Sequence, residues 1–491
     1  MVLALVAVLC GVFVTLPMSE NDSFLHILMG RDILSEWRLT GSPDWTYGPT
    51  NADWVTFVHW PTQVLMAAGY DAVGFGFFTA LGVALSGAFI LAMFIALQAV
   101  RAAGEYEVGQ SRLQAGVLFY SCLAIGVFIS PRANAFSAVF AVLLGYWCLS
   151  VIRSGSFGMR WWLVPLAVWV WVLLHGSAML AALLLLPAVA LWWAIQPTRF
   201  TKPTVVKTLR LLVVSVAAAA VPVLTPLGFR AWGTGLSTRE VSAGWIVEWS
   251  TLEVLSYEGL FLAVLVVWAI IVGVLTLRAK EMRERAEQFA ILALTGLAVI
   301  PAIIFQQRNY ILFMPVAAVL LFAATSQALQ GKQFRPRSWE AFARPLPVRR
   351  VVTLGGAVCL LLVAVAAAQN NLNTYKFPVV IAENMSKEAR DAPRYVVAPI
   401  EVASVIPFYS PGDRVAFDAR LDRYPREVLI TTTGILNGNG GEEWEEWINE
   451  VFPETTDLLV RRTSPFVQQA QASGWFITDE SERWVMLSRR P

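Results

Sequence analysis

Eleven apolar runs punctuate this 491-residue chain, at 1–18, 73–100, 115–129, 133–151, 161–174, 178–195, 209–224, 260–277, 286–304, 311–328 and 351–368. At about 1.5 Å of rise per residue, the longer runs reach across about 30 Å of hydrocarbon. Lipid then dictates helix, because a lipid-exposed backbone has to satisfy its own N–H and C=O groups. With 57% hydrophobic and only 15% charged residues, the chain has too little polar surface to clothe a water-soluble globule. It reads as mainly α, a polytopic membrane protein of about eleven transmembrane helices over 1–368, with a soluble α/β domain over 369–491. The first run has no basic residue ahead of it and no small-residue cleavage site after it, so it reads as a retained span. The turn His175-Gly176-Ser177 either joins two spans or interrupts one kinked unit. A net charge of +2 leaves no basic surface for nucleic acid. Cys10, Cys122, Cys148 and Cys359 all lie inside apolar runs and read as small core residues.

Orientation follows from Lys and Arg, which accumulate on the cytoplasmic side. Alternate connections carry eighteen basic residues on one side, among them Arg101, Arg153, Lys207 and Arg283, against six on the other: Arg31, Arg38, Arg132, Arg230, Arg239 and Arg308. The richer side is cytoplasmic on this rule. The amino end is then inside, while the first loop, 19–72, and the carboxyl domain share the outer face of the plasma membrane. All three histidines, His26, His59 and His175, fall on that outer side.

The first loop is far longer than a connection needs. It gathers Glu20, Asp22, His26, Arg31, Arg38, Asp44 and His59 between nearly uncharged flanks, which marks it as a candidate reaction centre. Asp22, His26 and Gly30 recur every four residues and share one helix face. A carboxylate and an imidazole so placed can exchange protons or hold a divalent cation; the structural alternative is that Asp22 only caps the helix. Arg132, beside Asn134, and Arg308, beside Asn309, sit in short outer turns. They either snorkel to ordinary lipid phosphates or grip the phosphate of a specific lipid, a task that suits Arg. His175 is either a satisfied buried imidazole or a ligand contact. Glu248-Trp249, an acid next to an aromatic in a long outer loop, fits a sugar.

Read in order, ENDSFLHILMGRDILSEWRLTGSPDWTY, WVTFVHWPTQVL, SPRANAFSAVF, WVWVLLHGS, LTPLGFRAW, IVEWS, QQRNYILF and the tail element VAFDARLDRYP resemble the landmarks of bacterial multi-span proteins of the GT-C glycosyltransferase superfamily. That class includes protein O-mannosyltransferases, oligosaccharyltransferases and aminoarabinose transferases. The resemblance spans nearly the whole chain. It implies transfer of a sugar from a polyprenyl phosphate carrier to a glycan, lipid or protein acceptor on the outer face, with a first-loop acid as base. By position Asp22 matches that acid and Glu20 completes an ExD pair, whose hard oxygens, with Asp44, favour Mg2+ or Mn2+ over zinc. Arg132, His175, Glu248 and Arg308 fall on family landmarks. One departure is Leu173, which stands where the group's W.N.HG turn has Asn.

In the tail, 395–399, 414–418, 457–461 and 475–478 read as strands, and 442–451 and 464–472 as helices. Asp418, Arg420, Asp422 and Arg423 read as a surface ion-pair cluster or an acceptor contact. Two other functions stay open: a non-catalytic relative that binds a lipid-linked glycan for a partner enzyme, and a transporter. The transporter ranks third because the spans carry few charges and show no inverted repeat.

Overall fold

The computed structural model describes the chain apart from residues 1, 16–17, 19–21, 38, 40–43, 51–58, 103–108, 127–134, 227, 230–255, 278–280, 305–309, 330–347, 370–371, 389–391, 419, 421–422 and 490–491. It forms two compact units. One comprises Met1–Leu16, Phe78–Gly235 and Ala243–Gln369; the other comprises Pro17–Phe77, Leu236–Ser242 and Asn370–Pro491.

The first unit is helical, and each apolar run of the sequence has a helix. In chain order these are α1 (Val2–Thr15), then, past the two loop helices of the second unit, α4 (Gly76–Ala102), α5 (Gly109–Gly126), α6 (Ala135–Ser154), α7 (Leu163–Leu174), α8 (Ala182–Ile195), α9 (Lys202–Ala220), α10 (Tyr257–Leu277), α11 (Met282–Ile304), α12 (Tyr310–Ala328) and α13 (Val348–Ala367). Among the described residues six stretches are long and apolar enough to cross a membrane, so the chain is a multi-span membrane protein. The core lies around α12, where every residue from Val316 to Ala324 is fully buried; a helix apolar all round belongs in such a place. The outer helices turn Leu212, Val213, Val267, Ile270, Leu360 and Leu361 outward, as lipid-facing surfaces do. The His175 turn resolves into two helices: α7 ends at Leu174, His175 is extended, and a 3-10 turn, Gly176–Ala181, leads into α8.

The second unit joins the first loop to the tail. The loop supplies α2 (Asp22–Glu36) and α3 (Trp60–Val73). The tail supplies β1 (Tyr395–Val397), β2 (Arg414–Val415), β3 (Asp457–Arg461), β4 (Phe476–Glu480) and β5 (Trp484–Ser488), in the order β2-β1-β3-β5-β4. The pairs β1–β2 and β1–β3 are parallel, while β3–β5 and β4–β5 are antiparallel. Parallel neighbours require crossovers, which here carry the helices Val405–Tyr409, Arg426–Leu436 and Trp444–Val451. The four strands read from sequence are present; the hairpin strand β5 and the helices Val379–Lys387, Val405–Tyr409 and Arg426–Leu436 add to them.

The loop completes this sheet. Tyr47 N–H donates to Val415 O (3.1 Å), Gly48 N–H to Ala416 O (2.9 Å), and Val415 N–H to Trp45 O (2.8 Å). Trp45–Gly48 thus runs parallel to β2 and covers an edge that would otherwise be open. Position 48 has to be glycine, since a Cβ there would lie 2.1 Å from Ala416 O. Tyr47 inserts between Tyr395 and Phe452 and shares a hydrogen bond with Thr455 Oγ1 at 3.1 Å. Burial pushes its phenol well above the usual tyrosine range. Tyr47→Phe, which removes only that bond, is expected to cost about 0.5–1.5 kcal/mol in denaturant melts.

Asp418, Arg420 and Arg423 are not at the surface as the sequence suggests: they are 0%, 8% and 1% exposed. Asp422 lies outside the described residues.

Candidate functional site

The first-loop centre is built by α2 and α3. Asp22 opens α2 in its first turn, where a carboxylate complements the helix dipole. His26 lies one turn further on. Leu25, Met29 and Ile33, again one turn apart, form a stripe against Trp60, Val64 and Trp45, while Phe24 stands edge-on to Phe75, Phe377 and Phe408 at 5.6, 4.9 and 5.1 Å. With two apolar faces fixed, α2 has no freedom to rotate. It comes close to α3 at Gly30, where a Cβ would meet Gln63 O at 2.1 Å and the Ala67 Cβ at 2.7 Å.

That contact sets the site. His26 is one turn before Gly30, and His59 is one turn before Gln63, whose N–H donates to His59 O at 3.1 Å. The imidazoles of His26 and His59 therefore face each other, half-buried, with ring centroids 6.4 Å apart and planes at 80°. Gln63, 3% exposed, donates Nε2–H to Met29 Sδ at 3.6 Å. Gly30→Ala is expected to wedge the helices apart, costing about 1–3 kcal/mol and widening the imidazole gap. A thermal melt of the solubilised protein measures the cost, and 15N chemical shifts of the two imidazoles report the widened gap.

Arg31 is held further along α2. It donates from Nη2 to Asp71 Oδ1 at 2.5 Å and lies over the rings of Tyr70 and Phe408 at 5.3 and 5.5 Å. Asp44 is exposed, in the turn that leads into the paired segment. The described residues thus bring His26 and His59 together, with Asp22 one helical turn before His26 on α2, and leave Arg31 and Asp44 on other parts of the same unit. Glu20, Arg132, Asn134, Glu248, Trp249, Arg308 and Asn309 lie outside the described residues. No three His, Cys, Asp or Glu side chains among the described residues converge where a cation could sit. Glu20, second acid of the expected Mg2+ or Mn2+ pair, falls outside that set, so the described donors alone do not fit a divalent ion.

His175 belongs to the other unit and is 7% exposed. Its Nδ1 lies 3.1 Å from Ser137 Oγ and 2.7 Å from Ser177 Oγ, and receives the Ser177 N–H at 3.3 Å. The two hydroxyls are 2.8 Å apart, and Trp171 Nε1–H donates to Ser137 Oγ at 2.9 Å. The HGS turn contained a hint of Ser177. Nothing in the spacing pointed to Ser137 or Trp171, which the packing of α6 on α7 supplies.

No family model matches the chain, and no curated protein matches it in sequence. Solved structures do match in shape. The oligosaccharyltransferase of Archaeoglobus fulgidus in its apo form superposes with a TM-score of 0.55 at 12% identity, over 94% of this chain and 69% of that one. Its complex with Zn and sulfate does so at 0.50 and 14%, over 94% and 68%. ArnT from Cupriavidus metallidurans bound to undecaprenyl phosphate superposes at 0.52 and 15%, over 99% of this chain and 97% of that one. The chain shares the fold of these structures. The GT-C resemblance carried by the sequence landmarks is thereby met by the architecture, from the apolar helices to the small carboxyl-terminal sheet.

Proposed function

We propose that the chain is a membrane glycosyltransferase that moves a sugar from a polyprenyl-phosphate carrier to a glycan, lipid or protein acceptor on the outer face of the membrane. The observation that carries this reading is the pairing of His26 with His59 where two first-loop helices pack tightly, one helical turn after Asp22, in a chain that shares the fold of these transferases. Asp22 takes the proton of the acceptor hydroxyl as that oxygen attacks the anomeric carbon, and the carrier phosphate leaves with the bonding pair. His26, one turn away, orients the acid or relays its proton to His59. Arg132 and Arg308 neutralise the departing phosphate, and Glu248 with Trp249 holds the sugar.

Undecaprenyl phosphate in the ArnT complex supports a lipid carrier of this class. On this reading the membrane domain spans 1–368 with about eleven crossings, the amino end is cytoplasmic and the domain at 369–491 is outside. The test is transfer from radiolabelled polyprenyl-phosphate sugars in membranes that contain the native chain or Asp22→Asn. If both forms restore a partner enzyme equally and neither transfers sugar, the chain is a glycan-binding accessory.

A further inference from the structure

We propose that Cys10 and Cys359 form an oxidation site, at which a disulfide bond joins α1, the first apolar helix, to α13, the last. The inference stands apart from the transferase reading. All four cysteines of the chain are free and buried, and these two share one seat.

The seat is on α4. Cys10 Sγ donates to Val83 O at 3.6 Å, and Cys359 Sγ donates to the same oxygen at 3.7 Å. Two thiols that reach one carbonyl lie side by side, and here the side chains also interact directly with each other. One turn further along α4 is Gly87. A Cβ there would lie 2.3 Å from Cys359 Sγ and 3.8 Å from Cys10 Sγ, so a larger residue would push the first sulfur off its place. The missing side chain lets both sulfurs sit on a single turn of α4.

The frame around the pair keeps it together. Helix α1 packs along α13, and the segments that follow the two helices meet again. Asn373 N–H donates to Met18 O at 2.9 Å, and Met18 bridges Leu372 in parallel. Thiols held in this way react as an intramolecular pair, at an effective concentration far above that of a thiol in solution. Residues 17–77 and 370–491, the two main segments of the loop-and-tail unit, follow these two helices in the chain. A bond between Cys10 and Cys359 therefore ties together the helices at the root of both segments.

The co-reactant is a small, lipid-soluble two-electron acceptor. Cys359 is the sulfur it reaches, being 8% exposed beside the outward-turned Leu360 and Leu361, whereas Cys10 is 0% exposed. With molecular iodine, the Cys359 sulfur attacks one iodine atom and releases iodide. The Cys10 sulfur then attacks the Cys359 sulfur and displaces the second iodide. One S–S bond forms, both thiol hydrogens leave as protons, and the iodine takes up two electrons.

The test uses the full chain in membranes, with a protease site placed in the connection at 330–347. The chain is treated briefly with iodine, cut, and run on a denaturing gel without reductant. The cut separates Cys359 from the other three cysteines, so a bond from Cys359 keeps the two fragments joined until dithiothreitol parts them. The yield of joined fragments in the native chain should exceed that of Cys10→Ala by at least about tenfold, as a bond with such narrow geometric limits requires. Cys122→Ala/Cys148→Ala leaves only the proposed pair and should join as the native chain does. Uncut chain should stay at monomer size. Fragments that part without reductant, joining that survives Cys10→Ala, or bonds between copies each overturn the proposal. If Cys10→Ala fails to accumulate, the Cys122→Ala/Cys148→Ala chain decides alone, because any bond within it is the one proposed and its failure to join overturns the site.

Discussion

Asp22→Asn is expected to lower sugar transfer by about 10²- to 10⁴-fold, the range typical for loss of a positioned general base, while folded protein accumulates in the membrane as before. The two roles open to this residue predict different magnitudes, and that makes the substitution decisive. As a helix-opening acid in the first turn of α2, Asp22 contributes about 0.3–1 kcal/mol through the helix dipole. Asn has the same shape and accepts the same cap bonds, so a purely structural Asp22 would register only as a shift of a few degrees in the melting temperature. As a base it cannot be replaced by an amide, which has no affinity for the acceptor's proton. Transfer from radiolabelled carrier and thermal melts of the solubilised protein, made on the same preparation, separate the two. Native-like transfer by the Asn variant would remove Asp22 from the chemistry.

How much of this was legible beforehand depends on whether a feature is local or relational. Apolar runs are local, because lipid forces each into a helix whatever its neighbours do; all eleven have one. Asp22 and His26 are likewise local, four residues apart on one helix. The approach of His59 to His26 depends on Gly30 lying against the Gln63 carbonyl, and a glycine inside a helix shows only that close approach is allowed. The docking of the loop on the tail is harder still to read. The segment from Trp45 to Gly48 has no alternating pattern, and its partner β2 is two residues long. What fixes the pairing is the insertion of Tyr47 between Tyr395 and Phe452, some 350 to 400 residues away in sequence. Composition changes abruptly at residue 369, yet residues 17–77 pack with the tail, because a loop too long for its connection folds on whatever surface completes it. The His175 network was hidden for a related reason. Serine hydroxyls in an apolar helix carry no sign of which imidazole they will meet.

Asp418→Asn is expected to destabilise the loop-and-tail unit by about 3–5 kcal/mol at neutral pH, the scale for breaking one side of a buried ion pair. Asp418 is fully buried. Its Oδ1 and Oδ2 accept from Arg420 Nε at 2.9 and 3.0 Å, its Oδ1 accepts the Arg420 backbone N–H at 3.1 Å, and Arg420 Nη2 bonds Oδ2 as well. Burial pushes this carboxyl up, but the charge of Arg420, its hydrogen bonds and the charge of Arg423 outweigh that, and the group sits below the ordinary carboxylate range. A carboxyl depressed on folding adds stability that is complete above its unfolded pKa and is lost as pH falls toward the folded one. The native unit should therefore weaken as pH drops below about 4, whereas Asp418→Asn should be weak already at neutrality and lack this part of the acid response. The effect should reach the candidate site's own loop. Ala416, two residues before Asp418, receives the Gly48 N–H, so loosening there frees the Trp45–Gly48 segment from the sheet. Hydrogen exchange at the Tyr47 and Gly48 amides of the full chain should then rise in the Asn variant at neutral pH, and in the native chain only in acid. An unchanged melt for Asp418→Asn at neutral pH would mean that the two buried guanidinium groups do not depend on this carboxylate.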